Sequence, residues 1–206
     1  MGTLIPGEAP IYIGIYVDDI IYFSPSDTVE RKFEEQLSAL GSIDFMGQVT
    51  HFLGIEFTWH HHSDGNLSVT LTQQAFVEML LENLNYSLDA TTSTYTSPYR
   101  SGLSIDSIPP TTMSSIEHDK LRIQYQSLVG SLNWLAHTTR PDISMVVSLL
   151  AQHQSNPSQG HLDAALCVVT YLSPNKNLGI YFSSSKRHKL EAFLHFPVVP
   201  KRLIYA

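Results

Sequence analysis

A single cysteine, Cys167, stands among 206 residues. That excludes an internal disulfide framework, and the expectation is a reducing, intracellular compartment, cytoplasm or nucleus. No run of about 18 apolar residues occurs, so no membrane span is expected. Met1 to Pro10 lack the basic flank and apolar core of a signal peptide. Charge is also scarce. Charged residues make up 15% of the chain, and 12 Lys/Arg stand against 19 Asp/Glu for a net charge of −7. This argues against a simple nucleic-acid binder, whose footprint is basic. A hydrophobic content of 43% argues against disorder and is enough for one or two small cores.

The charge that is present is unevenly placed. Residues 1–119 hold 3 Lys/Arg and 16 Asp/Glu, and residues 120–206 hold 9 and 3. An acidic half followed by a basic half suits a metal-binding end and a phosphate-facing end. It equally suits two solvated surfaces of opposite sign.

Ile11, Ile13, Ile15 and Val17 alternate with Tyr12, Gly14 and Tyr16, a β-branched and aromatic run that reads as a strand. Ile20 to Phe23 reads as a second strand. Asp18 and Asp19 alone separate the two, which predicts a tight hairpin with both carboxylates at its tip. Ser24-Pro25-Ser26 ends the second strand. A helix follows, with Asp27 and Glu30 at capping-box spacing, Val29, Phe33, Leu37 and Leu40 on one face, and Gly41 as its stop. Phe52–Trp59 and Leu67–Leu71 read as another hairpin, turned through Ser63-Asp64-Gly65-Asn66. Gln73–Leu84 is helical, with Phe76, Leu80 and Leu84 on one face.

Residues 89–118 are rich in Ser, Thr and Pro and show no periodicity, as expected of a linker. Three helices are predicted beyond it. One spans about 119–136, one starts at Pro141, and one starts after Asn156-Pro157-Ser158. Leu178–Phe182 reads as a last short strand. The expected organisation is 1–88, a linker at 89–118, a helical segment at 119–183, and a divergent tail at 184–206.

Adjacent carboxylates on a stiff hairpin tip offer the hard oxygen ligands that Mg²⁺ takes. Two such ions serve phosphoryl transfer. Acidic pairs in turns are ordinarily solvated surface, so the pair alone is weak. Its surroundings add weight. Tyr16-Val17-Asp18-Asp19 between two apolar strands resembles the polymerase motif of reverse transcriptases. Phe52-Leu53-Gly54-Ile55-Glu56 resembles the primer-grip hairpin that follows it. Leu71-Thr72-Gln73-Gln74-Ala75-Phe76 resembles the start of the next helix in copia-type elements. The series continues in order with Tyr125 through Leu135, Thr139-Arg140-Pro141-Asp142-Ile143, His161 and Tyr171-Leu172. Over residues 11–183 the chain resembles the copia-type LTR retrotransposon polyprotein.

The resemblance implies an α+β fold: a partial reverse-transcriptase palm of antiparallel hairpins plus helices, then a mostly helical thumb and connection segment. It implies RNA-directed DNA polymerisation by two-metal nucleotidyl transfer, with Mg²⁺, an RNA/DNA primer-template and dNTPs. Asp18 is then the metal-binding aspartate and Asp19 its less central neighbour. Tyr16 and Val17 lie beneath the primer end and the incoming nucleotide, and Phe52, Leu53, Gly54, Ile55 and Glu56 hold the primer terminus. Lys120, Arg122, Lys176 and Arg187 are candidates for contact with the nucleic-acid backbone.

Family members also carry an earlier carboxylate strand and fingers, which nothing before residue 11 supplies here. The expectation is a chain that does not polymerise alone, unless a separate chain provides those parts. The absent strand leaves the hairpin with an apolar edge open to pairing. Leu190–Leu194 resembles the opening of an RNase H domain, but His195–Arg202 does not continue it. The alternative is a non-catalytic nucleic-acid- or protein-binding remnant. His60-His61-His62 alternate in direction along a strand and predict no metal site. Ser131, Trp134 and Cys167 fall on helices where burial is the expected role. Arg140-Pro141-Asp142 reads as a helix start.

Overall fold

The computed structural model describes residues 9–85, 97–99, 105, 108 and 114–184, together with the backbone of 202–205. Arg187, Leu190–Leu194 and most of the 89–118 stretch lie outside the described residues. The fold is α+β with antiparallel pairings, and the chain divides into two units, Met1–Leu71 with Tyr181–Ala206, and Thr72–Ile180.

In the first unit, β1 (Tyr12–Tyr16) and β2 (Asp19–Phe23) form the predicted antiparallel hairpin. Their register sets Tyr16 opposite Asp19, Gly14 opposite Ile21 and Tyr12 opposite Phe23. Opposite residues share a face, and faces alternate along each strand. Tyr22 lies on one face and packs with Ile11, Val29 and Phe33, the last two from α1 (Asp27–Ser38). The Tyr22 hydroxyl donates to Glu34 Oε1 at 2.5 Å, fixing the helix to the strand. On the other face Tyr12 stacks on Phe23, with ring centroids 4.6 Å apart.

The start of α1 differs in detail from expectation. Ser26 is the N-cap and Asp27 the first helical residue. Glu30 reaches back past the cap, accepts from the Ser24 amide at 2.9 Å, and is buried. Leu40 does not join the apolar face. The helix ends at Ser38, and Leu40 stands exposed in the turn beyond it.

β3 (Asp44–Phe45) and β8 (Arg202–Tyr205) complete this sheet in the order β1-β2-β8-β3. A second sheet has the order β4-β5-β6-β7, formed by β4 (His51–Phe52), β5 (Ile55–His61), β6 (Leu67–Thr72) and β7 (Ile180–Ser183). The strand expected over Phe52–Trp59 is therefore two strands, because the chain turns at Leu53-Gly54. The 62–66 turn forms as expected. Gly65 takes φ +79°, and the Asp64 carboxylate accepts from the Asn66 amide at 3.0 Å.

The second unit is helical. α2 (Gln74–Asn83), α3 (Ser115–Thr138), α4 (Ser144–Ala151) and α5 (Gln159–Leu172) enclose a core of aliphatic side chains. Leu121, Tyr125, Leu128, Leu132 and Leu135 recur at alternating spacings of four and three, and all are buried. Each fully buried leucine contributes about 2 kcal/mol of transfer free energy, so this stripe binds α3 to its neighbours. Buried Tyr125 keeps its hydroxyl satisfied by donating to the Leu150 carbonyl at 2.7 Å, and burial pushes its phenol above the ordinary range. α3 begins at Ser115, earlier than periodicity alone suggests. Ser114 and Glu117 form a reciprocal capping box there.

Candidate functional site

The β1–β2 turn contains Val17 and Asp18, with Tyr16 and Asp19 as the closing pair. The carboxylates are thus placed differently from the expected two-Asp tip. Asp18 is in the turn and exposed, whereas Asp19 is the first residue of β2 and half-buried. The turn is set one residue earlier than expected: Val17 leaves the ladder and Asp19 enters it, against the strand propensities of the two residues.

Val17 takes φ +52°, and among the described non-glycine residues only Leu53 and Asn85 share a positive φ. A positive φ at the first turn position is the signature of a type II′ turn, which ordinarily places glycine there. A β-branched residue in that region is a true outlier. It costs about 1–2 kcal/mol. Val17 is 81% exposed, so packing against the described residues repays little of the cost.

Ile13 (44%) and Ile15 (71%) are also exposed, whereas Ile11 is buried. The α1 cluster therefore covers the base of the hairpin and leaves its tip uncovered. Asp19 shares the opposite face with Tyr16. Gly14 belongs to the same face, where an added Cβ would come within 3.0 Å of Ile21 Cγ2. A glycine inside a strand marks close approach.

The β4–β5 turn has the same character. Phe52 pairs with Ile55 across Leu53 (φ +51°) and Gly54 (φ +73°). Two positive φ values define a type I′ signature, here with a leucine at the first position. Behind this turn Trp59 Nε1 donates to the Val49 carbonyl at 2.6 Å. Glu56 lies half-buried opposite His51. The two hairpins belong to one unit but to different sheets.

The carboxylates of Asp18 and Asp19 are oxygen donors of the kind Mg²⁺ accepts. Among the described residues, no group of three or more His, Cys, Asp or Glu side chains is gathered to hold an ion. In the histidine run, His60 Nε2 lies 3.2 Å from Thr70 Oγ1 and His62 Nε2 lies 2.8 Å from Ser68 Oγ.

Two of the basic candidates already face acids. Lys176 pairs with Glu78 at 2.5 Å, and Arg122 pairs with Asp119 at 2.9 Å. The Lys176 hydrogen bond, then that of Gln74, holds the Glu78 carboxyl below its ordinary value. Lys120 is exposed on α3. It belongs to a stripe that also includes Ile116, Ile123, Ser127, Gly130, Trp134 and His137, all exposed and spaced by four and three. Trp134 is 41% exposed, contrary to the expected core role, and its turn neighbour Gly130 opens onto empty space. Ser131 and Cys167 are half-buried.

Sequence reasoning missed one cluster. Arg140 is 1% exposed, yet it is more than a helix start. Its Nε and a terminal nitrogen donate to Asp142 at 3.0 and 2.7 Å, and its other terminal nitrogen donates to the Asn175 carbonyl at 2.8 Å. The Tyr171 hydroxyl donates to the same Asp142 oxygen at 2.8 Å, and the guanidinium lies 5.7 Å from the Tyr171 ring centroid. Desolvation pushes the Asp142 carboxyl up, but the Arg140 and Tyr171 hydrogen bonds and the Arg140 charge together hold it below its ordinary value. Burial, then the Asp142 hydrogen bond, raises the Tyr171 phenol. The only sequence signal was an Arg and an Asp flanking a proline.

Two sheets, a helical unit and an acidic pair on an exposed, strained β-tip together define an α+β protein with a carboxylate-bearing hairpin. The chain is 29% identical over 186 residues to the transposon Ty5-1 protein of Saccharomyces cerevisiae, covering 90% of this chain and 56% of that protein. It is 29% identical over 189 residues to the retrovirus-related Pol polyprotein from transposon RE1 of Arabidopsis thaliana, covering 91% of this chain and 12% of the polyprotein. It is 27% identical over 183 residues to an uncharacterized mitochondrial protein of Arabidopsis thaliana, covering 89% and 70%. These similarities, at 26–30% identity over most of this chain, support a copia-type retrotransposon polyprotein segment. No family model matches it, and no solved structure is significantly similar.

Proposed function

We propose that this chain is the portion of a retrotransposon reverse transcriptase that presents its hairpin carboxylates to the end of an RNA/DNA primer-template. The observation that carries this reading is Val17. The chain holds a bulky residue at positive φ, beside Asp18, with the side chain in solvent. Strain with little compensation among the described residues points to a contact made outside the chain. The Leu53-Gly54 turn repeats the pattern at a second hairpin.

The chemistry is positional. In phosphoryl transfer, catalysis is mostly placement and charge neutralisation. Asp18 and Asp19 supply negative charge on a stiff β-tip. A bound Mg²⁺ supplies Lewis acidity and a metal-bound nucleophile in this class of reaction, but the carboxylates described here do not complete its ligand set, so no step is assigned to it. The chain therefore binds primer-template and contributes the hairpin, while polymerisation requires a further carboxylate from another segment.

The test has two arms. Primer-template binding, followed by fluorescence anisotropy, weakens as salt rises. In that complex, Mn²⁺ broadens the amide resonances of residues 16–20 first, and Asp18→Asn removes the effect. Salt-independent binding, or broadening spread evenly over the chain, would end the proposal. Primer extension by the chain alone, lost in Asp18→Asn, would show that the site is complete after all.

A further inference from the structure

The hairpin sheet is closed by a strand from the far end of the chain. Arg202–Tyr205 pairs antiparallel with β2 over four positions, Tyr205 opposite Asp19 through Arg202 opposite Tyr22. The same strand pairs antiparallel with β3 on its other side, Tyr205 opposite Asp44 and Ile204 opposite Phe45. β8 is therefore an interior strand, although residues 184–201 separate it from β7, and β3 belongs to this sheet through β8 alone. A two-stranded ribbon is marginal by itself. Its free edge would present unpaired N–H and C=O groups.

The register also says which groups β8 satisfies. Tyr16 and Asp19 close the two-residue turn, so Asp19, Ile21 and Phe23 exchange their hydrogen bonds with β1. The amides of Ile20 and Tyr22 then point to the opposite edge, where β8 lies.

We infer that the edge of β2 is an acceptor slot for one antiparallel strand, filled by the chain's own Arg202–Tyr205 and able to take that segment in trans once it is removed. The slot ends at Asp19, so the C-terminal segment sits at the acidic end of the hairpin. The occupant is recognised by its backbone, as in strand addition to a sheet edge. The inference does not rest on the polymerase reading, and its test involves no nucleic acid.

Three measurements decide it. Truncation after Lys201 removes the occupant. The Ile20 and Tyr22 amides should then exchange about tenfold faster or more, while those of Asp19 and Ile21 change less. The truncated chain should bind a synthetic peptide of residues 199–206 with one-to-one stoichiometry, the full chain should not, and the peptide carrying Ile204→Pro should fail. In the full chain, with Cys167→Ser, the pair Ile21→Cys and Leu203→Cys should close an intramolecular disulfide and keep the slot shut to peptide. This last arm holds even if the truncated chain does not fold. Unchanged exchange at Ile20 and Tyr22 after truncation would overturn the inference. So would failure of the cysteine pair to close, or equal peptide uptake by the full and truncated chains.

Discussion

Replacing Val17 by glycine should stabilise the hairpin while weakening what the hairpin does. A side chain in the left-handed region costs about 1–2 kcal/mol, and glycine removes that cost. Glycine returns about 0.5–1 kcal/mol through its larger freedom in the unfolded chain. Val17 is 81% exposed, so little burial is lost with its side chain. The net gain is about 0.5–1 kcal/mol, or roughly a two- to fivefold slowing of local opening. Amide exchange at Gly14, Asp19 and Ile21, whose N–H groups bond within the β1–β2 ladder, reads this directly. Val17→Ala is the control, because alanine keeps the Cβ penalty and should leave exchange nearly unchanged. If the strain is maintained for an external contact, primer-template affinity falls in Val17→Gly even as the ladder becomes more protected. Faster or equal exchange in the glycine variant would refute the strain argument. Slower exchange with unaltered affinity would refute the inferred contact.

Other consequences follow from the helical unit and its surface. Asp142→Asn leaves the Arg140 guanidinium buried against a neutral partner. The Arg140 side chain is 2% exposed but that of Asp142 is 34% exposed, so the loss should fall near the low end for a broken buried pair, about 3 kcal/mol, measured by urea unfolding of the helical unit. Since the folded state holds the Asp142 carboxyl below its ordinary value of 3.8, its contribution is present above that pH and is lost as pH falls through the depressed value. Acid titration of the parent should show that loss, and Asp142→Asn should lack it. Tyr171→Phe removes one hydrogen bond to the same carboxylate and should cost about 1 kcal/mol in the same assay. Trp134→Ala should leave stability nearly untouched because the ring is 41% exposed. If the α3 stripe meets nucleic acid, the same change should weaken primer-template binding by about 1 kcal/mol or more, as lost stacking does.

What the sequence disclosed, and what it withheld, follows from the range of each interaction. Strands and helices came from periodicity, a local signal, and β1, β2, α1 and α5 lie within a few residues of where alternation and caps place them. The turn residues Val17-Asp18 and Leu53-Gly54 were less legible. Neither Val nor Leu signals a positive φ, and composition alone reads Asp18-Asp19 as the loop. In the observed register Val17 leaves the ladder and Asp19 enters it, against their strand propensities, so no local signal announces the exchange. Trp134 was misread for the opposite reason. Its spacing matches a helical face, but α3 has two such faces, and only contact with α4 and α5 determines which is buried.

The Arg140 cluster and the β2–β8 pairing lay beyond any local reading. Arg140 meets Tyr171 and Asn175 across two helix connections, and nothing in Thr139-Arg140-Pro141-Asp142 announces those partners. An arginine buried to 1% must be paired, or it would carry an unaffordable desolvation cost. Once its burial is known, the search for Asp142 and its neighbours is forced. The same reasoning applies to β2. An apolar strand flanking an acidic turn cannot leave its outer amides bare without inviting another strand. The family resemblance implied an unpaired edge on the Ile11–Phe23 hairpin, open to another chain, whereas the structure pairs the β2 edge with the chain's own Arg202–Tyr205. Which strand fills an edge is a matter of effective concentration as well as pairing, and a segment tethered through residues 184–201 has that advantage over any strand arriving from solution.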